Sequence, residues 1–494
     1  MDAFDRPICL RDTCLETRQA IISRLLSDTE QNIVWLSGVA GCGKSTISNT
    51  VAKCLTDIMR LGAYLFFERG KSEPSTVIRT IAFKLALFDG SIGTHIRSSI
   101  EQSIDIASSS AANQFERLLL RPLTEAANDV HGPVVIILDA LDECGTWQSR
   151  RNLMRLIKDD FSRLPKNFRF LITSRPENDI TNAFSPTPDW LYHIELDYTS
   201  KNIHKDVLTY LEYELDLFFK EDGDIELPEG WPWDENMELL GNAADGLFIW
   251  AATAIKLIKD SDDPLRKLEG LVSNSRSLSG KGFGLDKLYD TVLKDSGISW
   301  DDETSASRFS QVLSFVLFSK TTITDTIIDK LLGLPSHLTL RRLKSVLAYE
   351  PGKSVRLFHT SFADYLVSPK QAGKSWSIDL GREKYNLVSK CFDMVKEKLI
   401  FNLCELQSSL LPNDSVTGLQ DRIVTKIPSY IEYSCLYWAQ HLSDIPFSEN
   451  VLNLLEHFLH NNLLSWFEVL SLLKKFDRAS SALLYAIGWV SVSL

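Results

Sequence analysis

Two short stretches contain residues whose types and spacing could do chemistry. The first is Gly38-Val39-Ala40-Gly41-Cys42-Gly43-Lys44-Ser45, which fits G-x-x-x-x-G-K-[ST]. Glycines at such positions let backbone N–H groups turn inward around phosphate oxygens. A helix starting here aims the positive end of its dipole at the same anion. Lys44 would reach the β- and γ-phosphates, the Ser45 hydroxyl would bind Mg2+, and Thr46 completes the nucleotide-binding set. The second stretch is VVIILDALDEC, residues 134–144, in which an aliphatic run ends in Asp139, Asp142 and Glu143. Clustered carboxylates repel one another unless a cation sits between them. Asp139, at the end of the apolar run, would hold Mg2+ opposite Ser45, mostly through water. A carboxylate engaged with metal cannot also polarise an attacking water, so a second acid is needed. Asp142 and Glu143 are both candidates, and spacing does not choose between them. The bland alternative for that pair is a solvated loop or a helix N-terminal charge pair.

The elements that must position these residues are legible as patterns. Residues 33–37 (IVWLS) read as a buried strand running into the glycine loop, and 45–60 as the helix that follows it. Residues 62–70 (GAYLFFERG), 134–139 and 168–174 (FRFLITS) read as further strands. Helical spacing is expected over 15–28, 75–88, 113–127 and 149–163. Apolar strands separated by helices imply an α/β domain with a buried parallel sheet, from about residue 30 to 200. Beyond it, 201–219 and 234–259 read as helices, separated by the polar loop EDGDIELPEGWPWDEN. SNSRSLSGKGFG (273–284) reads as a linker, 285–370 as helices with a short strand over 354–360, and 383–494 as helical.

Bulk properties narrow the function classes. A chain of 494 residues is too long for one ordinary core, so several domains are expected. The net charge of −12 argues against a nonspecific nucleic-acid binder. The basic cluster LRRLK (340–344) is short and reads as a solvated helix face. The eight cysteines form no C-x-x-C pair and no zinc spacing, which points to reduced thiols in a cytoplasmic protein. No signal peptide is evident, and the most apolar run, GLFIWAATAIKLI, is too short to span a bilayer comfortably.

Asp139-Ala140-Leu141-Asp142-Glu143 resembles the extended Walker B motif of NACHT domains, within the signal-transducing P-loop ATPases with numerous domains (STAND). AYLFFERG, TVIRTIAFKLA, ADGLFIWAATA and RLFHTSFADYL look like fungal members, in which the NACHT module is often followed by WD repeats. The resemblance spans about residues 8–475. It implies a lead helix (1–30), a NACHT domain (31–200), a helical lid (201–272), a winged helix (285–370) and a helical C-terminal region (383–494). Thr173-Ser174-Arg175-Pro176 looks like the family's sensor 1, which would set Arg175 near the γ-phosphate. His359 is similar in position to the winged-helix histidine that contacts the β-phosphate of ADP; a hydrogen-bonded core histidine is the alternative. The family's Gly-x-Pro contact corresponds to Gly246-Leu247-Phe248, where the proline is absent. Phe248 is then expected near the adenine or, more plainly, in the core.

By the same resemblance, ATP or ADP with Mg2+ would be the bound cofactors. Hydrolysis would be slow, and the ATP state would open and self-associate in a fungal immunity-like or self/non-self signal. Effector and sensor partners are unidentified, and neither a membrane nor nucleic acid is expected among the partners. Too little chain precedes the glycine loop for a separate effector domain, and no WD blades follow. Either a chain cut short of a sensor array or a sensor and effector supplied elsewhere is expected. Two other classes remain: a substrate-stimulated P-loop ATPase or kinase, and a nucleotide-bound scaffold that does not hydrolyse.

Overall fold

Consecutive buried apolar residues are satisfied in a sheet that is covered on both faces, and the first half of the chain builds one. In the computed structural model, residues 6–103, 105–221, 227–276, 284–408 and 410–491 are described. The chain divides into two units, Met1–Leu288 and Tyr289–Leu494. The first opens with α1 (Leu15–Leu26), β1 (Ile33–Ser37), α2 (Lys44–Asp57), β2 (Leu61–Phe66), α3 (Val77–Phe88) and α4 (Gly90–Glu101). Next come α5 (Ala111–Phe115) and α6 (Arg121–Ala126), joined by a π-helical turn, then β3 (Val134–Asp139), α7 (Trp147–Asp159), β4 (Phe168–Ser174), α8 (Asn178–Ala183) and β5 (Leu191–Glu195). The five strands pair in the order β2-β3-β4-β1-β5, all parallel. Every residue of β1, β3 and β4 is buried.

Two apolar layers cover this sheet. On one face Ile136, Leu138, Phe170 and Ile172 pack with α3, α4 and α7. On the other Val34, Leu36, Ile137 and Leu171 pack with α1 and α2. The strand order places the end of β4 between the ends of β1 and β3: Leu36 pairs with Thr173 and Leu138 with Ile172. Ligands of such sheets bind beyond the carboxyl ends of the strands, and both chemically interesting stretches lie there.

The helices α9 (Lys201–Glu221), α10 (Trp233–Ala244), α11 (Phe248–Lys259) and α12 (Pro264–Arg276) form a second core of the same unit, around Leu211, Leu240 and Trp250. The single helical stretch expected over 234–259 is therefore two helices. Asp245 and Gly246 turn left-handed at the break, with φ 47° and 74°. A Cβ on Gly246 would lie 1.8 Å from the Tyr198 carbonyl oxygen, so the break is imposed by close packing as well as by backbone hand. The expected linker is also revised, because its first residues, 273–276, finish α12; residues 277–283 lie outside the described residues. The polar loop is confined between Glu221 and Trp233, with 222–226 also outside the description. α13 (Leu285–Asp295) contains the point of division.

The second unit contains α14 (Glu303–Phe318), β6 (Ile323–Thr324), α15 (Asp325–Leu332), α16 (His337–Leu340), β7 (Leu347–Ala348), β8 (Ser354–Leu357) and α17 (Thr360–Leu366). Its strands form a small antiparallel sheet, β6-β8-β7. Among the described residues six α-helices follow: α18 (Leu380–Lys398), α19 (Leu419–Lys426), α20 (Ser429–Ser443), α21 (Glu449–Asn461), α22 (Leu463–Leu472) and α23 (Arg478–Ser491). The apolar C-terminal segment is partly spent in packing: Trp489 is buried, and its Nε1 donates to the Ile445 carbonyl at 2.9 Å. Residues 492–494 of that segment lie outside the description. Among the described residues, no helix is long and apolar enough to cross a membrane.

Replacing Gly246 by alanine should lower stability by about 2–4 kcal/mol, from clash and strain together. Gly230 is also left-handed but has open space around it, so Gly230→Ala should lose only about 1 kcal/mol. Parallel thermal melts of the two variants check this; equal losses would mean that the Tyr198 contact is soft.

Candidate nucleotide-binding site

The glycine loop bridges the end of β1 and the start of α2, where sequence spacing puts it. Gly41 and Gly43 take left-handed backbone angles, φ 80° and 99°. A Cβ on Gly38 would approach Cys42 Sγ to 2.8 Å and Leu196 Cβ to 3.1 Å. The loop is thus glycine-rich for hand at two positions and for space at the third. No side chain caps α2, so its leading N–H groups suit an anion. The Lys44 ammonium lies over the loop and donates to the carbonyls of Gly38 and Val39, both at 2.8 Å.

Asp139 ends β3 and is 0% exposed. It accepts hydrogen bonds from Thr173 Oγ1 at 2.5 Å, Tyr64 Oη at 3.1 Å and Ser45 Oγ at 3.3 Å. Burial pushes this carboxyl above the usual aspartate range, and the hydroxyl donors pull the other way. Burial also raises the Tyr64 phenol, with the neighbouring Asp139 charge adding to it. The chain then turns sharply: Ala140 is left-handed at φ 59°, a strained setting for a residue with a Cβ. Its N–H is held by Thr173 Oγ1 at 2.9 Å. Thr173 therefore donates to Asp139 and fixes the turn after it with one hydroxyl.

That turn leads into a short 3-10 segment, Leu141–Glu143, in which both acids are buried. Their surroundings differ. Asp142 is bound to Arg175 through both oxygens: Oδ1 accepts the Arg175 N–H at 3.0 Å, and Oδ2 lies 3.3 Å from Arg175 Nε. Glu143 Oε2 accepts the Arg69 N–H at 3.4 Å.

Arg150, on α7, went unnoticed in the sequence because it reads as one more charge on a polar helix. It is 1% exposed. Its Nη1 donates to the carbonyls of Leu141 at 3.2 Å and Asp142 at 2.7 Å. Its Nε and Nη2 pair with Asp179 at 3.0 and 3.1 Å, and Nη2 also reaches Glu177 at 2.8 Å. Burial works against its charge, but the two carboxylates prevail and raise its pKa. One guanidinium thus ties the acidic turn to the segment that follows Arg175. Tyr64 and the double use of Thr173 were likewise invisible, since both depend on which strands become neighbours.

The loop is gripped from the side by α11. The Ile249 N–H donates to the Gly41 carbonyl at 3.1 Å, and the Phe248 ring lies 3.3 Å from where a Cβ on Gly43 would be. Phe248 is half-buried against both neighbouring cores, so packing on the phosphate loop is the contact described for it. Nearby, Asp206 of α9 accepts the Cys14 N–H at 2.9 Å.

His359 belongs to the second unit. It lies beyond the end of β8, not within the strand expected over 354–360, and caps α17. Its Nδ1 accepts the Ser361 N–H at 3.1 Å and lies 2.6 Å from Ser361 Oγ, which in turn is 2.8 Å from Tyr289 Oη.

Among the described residues, no cluster of three or more His, Cys, Asp or Glu forms a metal site. A site built on one carboxylate and one hydroxyl suits Mg2+, which takes its remaining oxygens from phosphates and water. Arg150→Met should destabilise the protein by about 2–4 kcal/mol, because two carboxylates and two carbonyls lose their donor together. Arg150→Lys should recover only part of that in a denaturant titration, since an ammonium cannot span all four acceptors.

The Nephrocystin 3 N-terminal family matches residues 13–175. The Vegetative incompatibility protein HET-E-1 of Podospora anserina is 22% identical over 92% of this chain. The chain spans only 34% of that relative's length. Among solved structures, a STAND protein with a tetratricopeptide repeat sensor from Pyrococcus horikoshii aligns with a TM-score of 0.43 and 12% identity, over 98% of this chain and 65% of its own. Cdc6p from Pyrobaculum aerophilum aligns with a TM-score of 0.31 and 12% identity, over 72% of this chain and 93% of its own. That family match spans the glycine loop and the acidic turn and the relative aligns with nearly all of this chain, so the chain is similar to NACHT-like P-loop NTPases.

Proposed function

We propose that the chain is a nucleotide-operated signalling switch that binds ATP or ADP with Mg2+, hydrolyses ATP slowly and changes its assembly state. The observation that carries this is the Asp139 carboxyl, fully buried and hydrogen-bonded to Ser45 of the phosphate loop. A carboxylate withdrawn from water is favoured only beside a cation or strong donors. Asp139 and Ser45 offer the hard oxygen atoms that Mg2+ takes, and they would hold it. When bound, Mg2+ neutralises charge on the β- and γ-phosphates.

The chain's own residues divide the remaining work. The backbone N–H groups of residues 38–46 cradle the phosphates. Lys44 exchanges its two loop carbonyls for phosphate oxygens. Asp142, committed through both oxygens, positions Arg175 toward the γ-phosphate. Glu143 is then the acid that polarises the attacking water. Slow turnover is the expectation, because Lys44 must leave its two loop carbonyls before the reacting geometry forms.

ADP and ATP would favour different states of the switch, since a ligand shifts an equilibrium only through contacts that differ between states. Arg175 supplies such a contact for ATP. His359 supplies one for ADP, turning its ring from the α17 cap to the β-phosphate. The relative's name, a vegetative incompatibility protein of Podospora anserina, supports a place in fungal self/non-self signalling. The ATP form would self-associate, and sensor and effector partners would complete the signal.

Lys44→Ala should weaken ATP binding by about a hundredfold, read by titration with a fluorescent analogue; unchanged affinity would sink the P-loop assignment. Glu143→Gln should keep ATP binding and slow single-turnover hydrolysis by about a hundredfold. Asp142→Asn should affect hydrolysis less than Glu143→Gln does; the reverse order would exchange their roles. His359→Leu should lose co-purifying ADP and shift the protein toward larger species in light scattering. A monomer that retains ADP would leave His359 as a helix cap only.

A further inference from the structure

The sheet ends at β2, and this edge differs from the one at β5. β5 has one buried residue, Leu191, and exposes His193 and the charged Glu195, as a protected edge does. β2 reads LGAYLF and carries neither charge nor proline. In a parallel pair only alternate residues bond the neighbouring strand. Half of the N–H and C=O groups of β2 therefore point away from β3. Among the described residues, no backbone group of Leu61–Phe66 bonds to anything except β3.

That edge is the floor of a groove of about 460 Å³, walled by α2 on one side and α3 on the other, with Arg6 and Ile8 at one end. Its lining includes three cationic side chains, Arg6, Lys53 and Lys84, and no carboxylate. This is unexpected in a chain of net charge −12. Arg6 is paired with Glu68 at 3.7 Å. No acidic partner meets Lys53 or Lys84 among the described residues. The α3 wall is also apolar where water reaches it: Leu87 of the lining is 72% exposed, and Phe83, one turn earlier on α3 and outside the lining, is 65% exposed. Large exposed apolar side chains beside a free strand edge mark an interaction surface.

We infer that this groove docks an extended, acidic segment of a partner protein, which adds to β2 as a sixth strand. Each feature dictates one property of the occupant. The free edge takes main-chain hydrogen bonds from an extended chain, and alternate side chains of that chain meet the two walls. The apolar wall residues select aliphatic side chains in one set of positions. Lys53 and Lys84 select carboxylates in the other, and repel a basic strand. The groups that select the occupant, Lys53, Lys84 and the apolar wall, lie outside the phosphate loop and the acidic turn, while Tyr64 of the floor bonds Asp139.

The test uses the full chain and a fluorescein-labelled heptapeptide of alternating glutamate and valine, followed by fluorescence anisotropy. Saturable binding is expected, with no binding of the lysine–valine counterpart or of a glutamate–valine peptide interrupted by proline. The double variant Lys53→Glu/Lys84→Glu should weaken the acidic peptide by about tenfold or more. Neither lysine has an ion-pair partner among the described residues, so the variant should fold, as circular dichroism will verify. Absent binding, or binding that survives the double charge reversal, overturns the proposal. Equal binding of the proline-interrupted peptide overturns strand addition. Two further results would overturn the choice of occupant: a dimer of the free protein that the double variant abolishes, and tighter peptide binding after deletion of residues 1–5, which would assign the groove to this chain's own start.

Discussion

A carboxylate that has left water sets the terms for the rest of the site. Asp139 cannot be charged at the end of a fully buried strand unless donors surround it, and the fold brings three hydroxyls to it from three elements. Ser45 comes from the first turn of α2, Tyr64 from β2 and Thr173 from β4. The order β2-β3-β4-β1-β5 makes this possible, because β3 has β2 and β4 as neighbours and the phosphate-loop strand lies just beyond β4. The left-handed Ala140 belongs to the same constraint. Strain of this kind persists only where surrounding bonds over-determine it, and Thr173 supplies one of those bonds.

A second layer of order surrounds the acids that follow. Arg150 fixes the carbonyls of the turn and the carboxylates beyond β4 at once. Asp142 and Arg175 are thereby held on two segments that share one anchor. Such a network behaves as a unit, and its energy is not a sum of pairs. It also gives two adjacent acids different environments without any difference in depth, since both are buried.

Much of this was legible in the sequence because the signals are local. The glycine loop, the strands 33–37, 134–139 and 168–174, and the Asp139 position all follow from short patterns, and the structure returns those strands with the same limits. The features that escaped depend on contacts far apart in the chain. β5 is a short edge strand, half-exposed and with a charged end, so its alternation was too weak to stand out. α4 contains two glycines among polar residues, which lowers helical propensity until tertiary packing decides. The break at Asp245 and Gly246 is set by Tyr198, some fifty residues upstream. The contact of Asp142 with Arg175 joins residues far apart in the chain, and no spacing rule within the acidic stretch contains that information.

The bond from the Ile249 N–H to the Gly41 carbonyl joins α11 to the loop through one particular peptide unit. That unit is planar, so the Gly41 carbonyl and the Cys42 N–H point in opposite directions. A donor that holds the carbonyl on one side therefore aims the amide hydrogen to the other, as a lever turns about its pivot. The start of α11 thus controls a rotation as well as a contact. If that helix withdraws, the same peptide is free to turn over, and one arm of the loop changes from a donor to an acceptor. Glycine at 41 makes such a turn sterically open, which gives this small residue a mechanical meaning beyond making room.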